Sequence, residues 1–571
     1  MATNSQNVPS GTPSSGTTST RRTTTTVGKA APAGTAAVVG GTTAASAGGT
    51  TVKGPAVTVN RPPKKILGIS MITMTIMIVT TIVSLRGLSS QAEFGLTSIF
   101  YYIFAAVVFL IPFSLVCAEL ASTFTQSGGL FRWVSEAFGA RWGWAAMYLE
   151  WQTVVIWFPS VLMFSSVSLA YIFWPEAFDA RLASNKLYTI IVLLAVYWFS
   201  TFNTFRGLKS ANKLSTLGGL FGTIIPAAII ILLGIIYVVM GKPMHLPLHQ
   251  SFWPDFTQFN TIVLAASIFL FYGGMEMQAV HIQQMRQPAK EYPRSVFLAA
   301  LIIIVIFVLA TLAIGVVVPE KKINLLQSLL VAYRDLWASV GLSWMGNIMA
   351  LLITFGVIGQ VSVIIAGPST GILAVGKAGY LPRSLQKTNK AGIQTPILYI
   401  QAAFVTLLTF VLVLLPSVQS AYQIMSQMAT IIYLIMVIII YAACIWLRHT
   451  QPNKRRGFKI PGGAFGIWFV TILGILGAFL ALVLSFVPPS QIKTGSPAVY
   501  VGILALGVAI FFALPFVVYA NRKKSWRDPN TTFEPFDWEI EGRKPSQVSH
   551  WPAGYVPTEA QVDKAIAEEK A

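Results

Sequence analysis

Ile262 to Ser295 reads IVLAASIFLFYGGMEMQAVHIQQMRQPAKEYPRS. It starts as an apolar helix, carries Tyr272-Gly273-Gly274-Met275-Glu276 near its middle, and ends in a basic loop. At about 1.5 Å of rise per residue and a hydrocarbon core of roughly 30 Å, the glycine pair falls near a bilayer midplane. Glycine lowers helix propensity, and a carboxylate at the bilayer centre costs about 2.5–3.5 kcal/mol or more on insertion scales. Such a break is tolerated where the backbone lines a cavity within protein. Glycine-mediated helix packing, with Glu276 bonding to a neighbouring helix, is the alternative reading.

Working outward, the composition sets the class. Of the 571 residues, 54% are hydrophobic and only 11% charged, whereas soluble domains average about 25% charged. The chain is therefore read as an all-α membrane protein. Cys117 and Cys444 both sit in apolar runs, so neither a disulfide framework nor a metal-ligand spacing is implied. The net charge of +20 could suggest nucleic acid. The Lys and Arg residues instead cluster in short loops between apolar runs, as membrane orientation requires, and no nucleic-acid partner is expected. The partners expected are the lipid bilayer and small molecules.

Twelve transmembrane helices are predicted. The first follows Lys65 and carries Thr80-Thr81-Ile82-Val83-Ser84, then Arg86-Gly87. This polar, β-branched patch is a second candidate break, with Thr and Ser bonding back to the preceding turn as the alternative. The others are predicted over 99–120, 143–173, 187–205, 214–240, 262–295, 296–318, 344–375, 397–415, 421–447, 465–487 and 499–520. The third holds Glu150 among Trp144, Tyr148, Trp151 and Trp157. Glu150 is either cavity-facing and proton-handling or interfacial. The alternating loops carry most of their Lys and Arg on the side shared by the termini, as in Arg448 to Lys459 and Lys377 to Lys390. This bias places both termini in the cytoplasm.

Residues 1–63, rich in Thr, Ser, Ala and Gly, are expected to form a disordered cytoplasmic tail. Residues 64–520 form the membrane domain. Residues 521–571 are a cytoplasmic tail with an unusual share of aromatics, including Trp526, Phe533, Phe536, Trp538 and Trp551. That tail either docks on the membrane domain or hangs free. His550 is its one histidine.

Three motifs carry a family likeness. They are Tyr272 to Glu276 followed by Gln287-Pro288 and Glu291-Tyr-Pro-Arg294; Gly129 to Gly143 with Trp133 and Phe138-Gly139; and Gly367-Pro-Ser-Thr-Gly371 with Gly379-Tyr-Leu-Pro382 and Phe458 to Gly463. Their order and spacing resemble the amino acid–polyamine–organocation superfamily, and within it the glutamate/GABA antiporters of bacterial acid resistance. The likeness covers about Lys65 to Ala520. It implies two inverted five-helix repeats (64–240 and 258–447), broken helices 1 and 6 facing each other, and two extra spans (464–520). It further implies amino acid exchange by alternating access across a plasma membrane (the inner membrane of a bacterium), with no cofactor, no metal and no enzymatic activity.

By the same likeness, substrate is held at Thr80, Thr81, Ile82 and Ser84 on helix 1, at Tyr272, Gly273 and Gly274 on helix 6, and at Gln360, Ile364 and Tyr433. Glu276 and Glu150 are the proton-coupling candidates, and Arg86 and His550 the gating ones. The tail would be a plug in the cytoplasmic mouth, released at acid pH. The sequence departs from the pattern in three places. The helix 1 break lacks glycines, Gln360 stands where these antiporters carry an acid, and Ile364 where they carry a Trp. A proton-coupled amino acid or amine symporter and a membrane sensor without transport are the alternatives. Oligomeric state is not set by the sequence.

Overall fold

A computed structural model of the chain describes residues 69–173, 176–246, 251–254, 266–319, 322–411, 415, 417–488, 496–527 and 533–540. All of them belong to one unit, Lys65–Ala571. The N-terminal tail, the first turn of the Ile262–Ser295 stretch and the chain beyond Ile540, with His550, Trp551 and Tyr555, lie outside the described residues.

The regular structure among the described residues is helical. In chain order, α1 is Met71–Ile82 and α2 Leu88–Ala92. α3 is Thr97–Thr123, α4 Leu130–Phe138 and α5 Ala140–Ala170. α6 is Glu176–Ala183, α7 Lys186–Phe205 and α8 Leu214–Val239. α9 is Ser267–Phe271, α10 Pro288–Val317, α11 Ser328–Ser339 and α12 Met345–Val375. α13 is Thr395–Val411, α14 Val418–Thr450, α15 Gly463–Ser485, α16 Pro497–Ala520 and α17 Asp537–Ile540. The only β pairing among the described residues is an isolated parallel bridge between Ile69 and Met285.

Nine of these helices are long and apolar enough to cross a membrane, and the bent pair α1–α2 passes the same test jointly. α13 is a shorter apolar helix. Local signals set several starts. Ser70, Asn185 and Ser417 each cap a helix by accepting a bond from the main-chain N–H three residues on. Pro288 opens α10 with Glu291 in its first turn, where proline loses no bond and a carboxylate favours the helix dipole. That start lies a full turn and more before the predicted one, because the Gln287–Ser295 segment is polar and so falls outside the apolar run, yet opens on Pro288 with an acid in its first turn. The helices α6 and α11 were not predicted; both are short and lie between spans.

Burial sorts the bundle. The most apolar window of α5 is 89% buried and that of α16 only 11%, so α5 runs through the centre and α16 along the outside. α5 packs against α12 and α14. Large apolar side chains remain exposed along the outward faces, among them Leu187, Ile191, Leu301, Leu476 and Leu506, the pattern of a surface solvated by lipid tails. Where α8 crosses α12, small residues let the backbones touch: a Cβ on Gly222 would lie 2.1 Å from the Gly356 Cα, and one on Gly218 2.9 Å from the Gly359 Cα. Close approach of this kind supplies dispersion contact that apolar lipid would otherwise match.

Candidate functional site

Two helix breaks meet at one cavity. α1 stops at Ile82, Val83 and Ser84 are extended, and the chain re-enters helix through a tight turn at Leu85–Gly87 and α2. The two segments are bent by 41°. Both sequence readings of this patch hold in part. Thr80 and Thr81 bond back to the carbonyls of Ile76 and Met77, at 2.9 and 2.8 Å, yet the helix still ends one residue later. Two adjacent β-branched hydroxyl residues weaken the turn that Val83 and Ser84 then leave.

The second break follows α9. Gly273 closes a turn onto the Leu270 carbonyl at 3.0 Å. Gly274 then takes φ 110°, a conformation L side chains rarely adopt, and the chain resumes as a tight helix over Met277–Gln284. Gly273 has a different reason to lack a side chain: a Cβ there would sit 2.6 Å from the ring of Tyr433. Tyr433, on α14, fastens this break. Its hydroxyl accepts from the Gly274 N–H at 3.0 Å and donates to Glu276 Oε2 at 3.2 Å.

The breaks are also tied to each other. Gln278 donates to the Thr81 hydroxyl at 2.7 Å, and Gln360 from α12 donates to the Thr81 carbonyl at 3.1 Å. That carbonyl is one a continuous α1 would have used internally. Outside the cavity, the Ile69–Met285 bridge joins the two broken segments again.

The space between the breaks is a cavity of about 50 Å³, lined in part by Thr81, Ile82, Ser84, Arg86, Gly273, Gln360, Ile364 and Tyr433. At about 10–15 Å³ per water, this holds a few waters and no amino acid without side-chain movement. The other expected residues lie around it. Thr80 packs against Gly219. Tyr272 is fully buried, donates to the Tyr102 carbonyl at 3.2 Å and stacks on Phe307, so it braces the second break from outside the cavity. Gly274 reaches the site through its N–H alone.

Glu276 is buried behind Tyr433, with Oε1 unpaired among the described residues. Glu150 is buried in α5, one turn before the cavity-lining Thr153 and Val154, and within electrostatic reach of Glu276. Sequence reasoning missed Thr153, Val154, Trp157, Leu270, Phe271 and Met277, which also line the cavity. Their positions opposite the breaks are set by packing, and a helix as apolar throughout as α5 gives no facial signal. Among the described residues, no cluster of His, Cys, Asp and Glu is arranged to hold a metal ion.

A second polar site lies on α4, the connection between α3 and α5. Arg132 pairs with Glu136 at 3.1 Å, and both are buried. Residues 533–540 of the tail lie on this helix. Arg132 donates to the carbonyls of Glu534 and Pro535, Glu136 accepts from the Asp537 N–H, and the Trp538 ring nitrogen donates to the Ser135 carbonyl. Phe533 and Phe536 sit against the Arg132 guanidinium at 5.0 and 4.9 Å, and Asp537 pairs with Lys454 in the loop after α14. Burial and the charge of Asp537 push the Glu136 carboxyl up to about 7, against the opposing pull of Lys454 and Arg132. Burial also raises Glu539. This stretch of the tail is docked.

Comparison with known proteins completes the assignment. A family model described as amino acid permease matches residues 69–511. An uncharacterized transporter of Legionella pneumophila is 34% identical over 80% of this chain and 96% of its own. A glutamate/gamma-aminobutyrate antiporter of Lactococcus lactis is 29% identical over 75% of this chain and 86% of its own. A probable agmatine/putrescine antiporter from the same species is 23% identical over 72% and 84%. The match runs through both breaks and nearly all the long apolar helices: the chain is an integral membrane protein of the amino acid permease family, within the amino acid–polyamine–organocation superfamily.

Proposed function

We propose that the protein is a secondary amino acid transporter, an antiporter of the glutamate/GABA type, that works by alternating access around the cavity between the two breaks. The meeting of the breaks carries this reading, because broken helices near the midplane free main-chain groups to bind a zwitterion. The cavity-lining residues named above would bind it, Thr80, Tyr272 and Gly274 would shape the breaks, and Glu276 and Glu150 would handle protons. Twelve spans are reached if α1–α2, the stretch ending in Met277–Gln284 and α13 each count as one span, and the family likeness would arrange the first ten as two inverted repeats. The loop charges favour cytoplasmic termini in a bacterial inner membrane. The docked tail would be the base of a plug. A glutamate/gamma-aminobutyrate antiporter among the relatives supports exchange.

Counterflow in proteoliposomes tests this. Vesicles preloaded with unlabelled amino acid should take up labelled amino acid far faster than empty ones. Uptake indifferent to internal substrate would refute exchange. Uptake into empty vesicles driven by an imposed pH gradient would favour a proton-coupled symporter, a reading that the buried carboxyl of Glu276 beside the cavity also suits.

A further inference from the structure

A larger space lies at the end of the bundle where α5 begins and α16 ends. It is a groove of about 410 Å³ between α5, α13, α16 and the loop that follows α12, and it shares no lining residue with the cavity between the breaks. Trp144, Tyr148 and Trp151 form its floor, on one face of α5. Their polar atoms are engaged. The Trp144 ring nitrogen donates to the Pro515 carbonyl at 2.8 Å, the Trp151 ring nitrogen to Gln401 Oε1 at 2.8 Å, and the Tyr148 hydroxyl to Gln152 Oε1 at 3.3 Å. An apolar space so lined offers water few partners and suits a hydrocarbon.

The groove is continuous with the lipid-facing surface. Val517 and Ile400 line it and are 56% and 39% exposed, and α16 is the least buried of the nine helices long enough to cross a membrane. Its other end is basic. Pro382 and Leu385 line that end from one segment, Asn521 and Trp526 from another. Arg383, Lys387, Arg522 and Lys523 stand on the same two segments and are exposed. Neither segment, 376–394 or 520–527, contains an acid, and no ion pair among the described residues includes any of the four. The segments are tied together: Gln386 donates to the Trp526 carbonyl and Arg383 to the Arg527 carbonyl, each at 2.8 Å.

We infer that this groove is a binding site for an anionic phospholipid, which lays an acyl chain along the α5 rings and sets its phosphate among Arg383, Lys387, Arg522 and Lys523. The inference needs the membrane assignment and is independent of the cargo. Charge decides which lipid is taken. An acyl chain gains little on leaving lipid tails for an apolar wall, since the two are equally apolar. The basic mouth does the selecting, because Lys and Arg at a membrane surface attract acidic headgroups. A zwitterionic headgroup brings its own cation to that mouth and is disfavoured. A lipid bound here touches α5, α13 and α16 together, so it stabilises the seating of the outermost helix.

The test uses purified full-length protein, delipidated in detergent and then given dioleoyl phosphatidylglycerol or dioleoyl phosphatidylcholine in mixed micelles. Native mass spectrometry should show phosphatidylglycerol retained about tenfold or more over phosphatidylcholine. Tm should rise by about 2 °C or more with phosphatidylglycerol and not with phosphatidylcholine. Arg522→Gln combined with Lys523→Gln should weaken phosphatidylglycerol binding several-fold. Val517→Trp, which narrows the groove at its rim, should weaken it as well. Arg455→Gln combined with Lys459→Gln, an exposed basic pair in the loop after α14, should change neither readout.

Equal retention of the two lipids overturns the inference by removing the role of the charges. Equal losses in the two double variants overturn it too, by placing the effect in general surface charge. Unchanged binding in Val517→Trp puts the acyl chain elsewhere and does the same. Wild-type protein that retains neither lipid and shows no shift in Tm leaves the groove to another part of the chain and refutes the lipid. Should a variant fail to fold, the wild-type preference and Tm shift uphold or overturn the inference.

Discussion

At the scale of single residues, the site depends on a few buried polar atoms. Tyr433→Phe removes one hydroxyl and takes a partner from two groups, the Gly274 N–H and Glu276 Oε2. Stranding a buried polar group costs about 1–3 kcal/mol. The variant should therefore melt at a lower temperature in detergent and exchange more slowly; an unchanged Tm would show that water replaces the hydroxyl. Glu276→Gln should be gentler on the fold, because its amide oxygen still accepts from Tyr433. It should bind cargo while losing the pH dependence of exchange, and a pH profile like the wild type's would take Glu276 out of proton coupling. Much at this scale was legible. The Gly273–Gly274 pair and Glu276 announced the second break, and Thr80 to Ser84 the first. The facing was not: Tyr272 and Gly273 are neighbours in sequence, yet only Gly273 faces the cavity, because the turn sends the tyrosine outward onto Tyr102 and Phe307.

At the scale of elements, apolar runs gave most long helices to within a few residues, since a membrane span is set by length and hydropathy. What they could not give is which helix touches which. Gly218 and Gly222 on α8 meet Gly359 and Gly356 on α12, a pairing fixed by three-dimensional register. Nothing in either helix alone marks its partner. α12 also carries Gln360 and Ile364 to the cavity, so this contact sets their depth. Gly222→Leu should force the backbones apart and destabilise the protein by about 1–3 kcal/mol or more, the cost of overpacking a filled contact. Gly502→Leu, on α16 where a Cβ would meet nothing within 4 Å, should leave Tm nearly unchanged. Equal effects of the two substitutions, read as Tm in detergent, would mean that the α8–α12 contact yields under strain.

At the scale of the whole molecule, the tail and the bundle act on each other through charge. The aromatic content of residues 521–571 left two readings open, a docked tail and a free one, and Phe533, Phe536 and Trp538 dock. The sequence could not show that they would seat on Arg132 and Glu136, because that needs the tail to fold back some four hundred residues along the chain. Docking buries Glu136 and sets the Asp537 charge beside it, which lifts its carboxyl from about 4.5 to about 7. Undocking readmits water and removes that charge, so the Glu136 carboxyl falls back. The docked state therefore binds the extra proton between these values, and docking strengthens as pH falls through that window and weakens as pH rises through it. Glu539, also raised by burial in the docked segment, acts with the same sign. The plug that the family likeness implies is released at acid pH; these two carboxyls predict the opposite drift for residues 533–540. Limited proteolysis of the tail in nanodiscs should be slower at about pH 5.5 than at about pH 7.5, a range inside the window where the Glu136 proton is held. Glu136→Gln, permanently uncharged there, should remove most of the difference. Faster cleavage at the acid end would mean that groups beyond Ile540, His550 among them, govern release and outweigh Glu136.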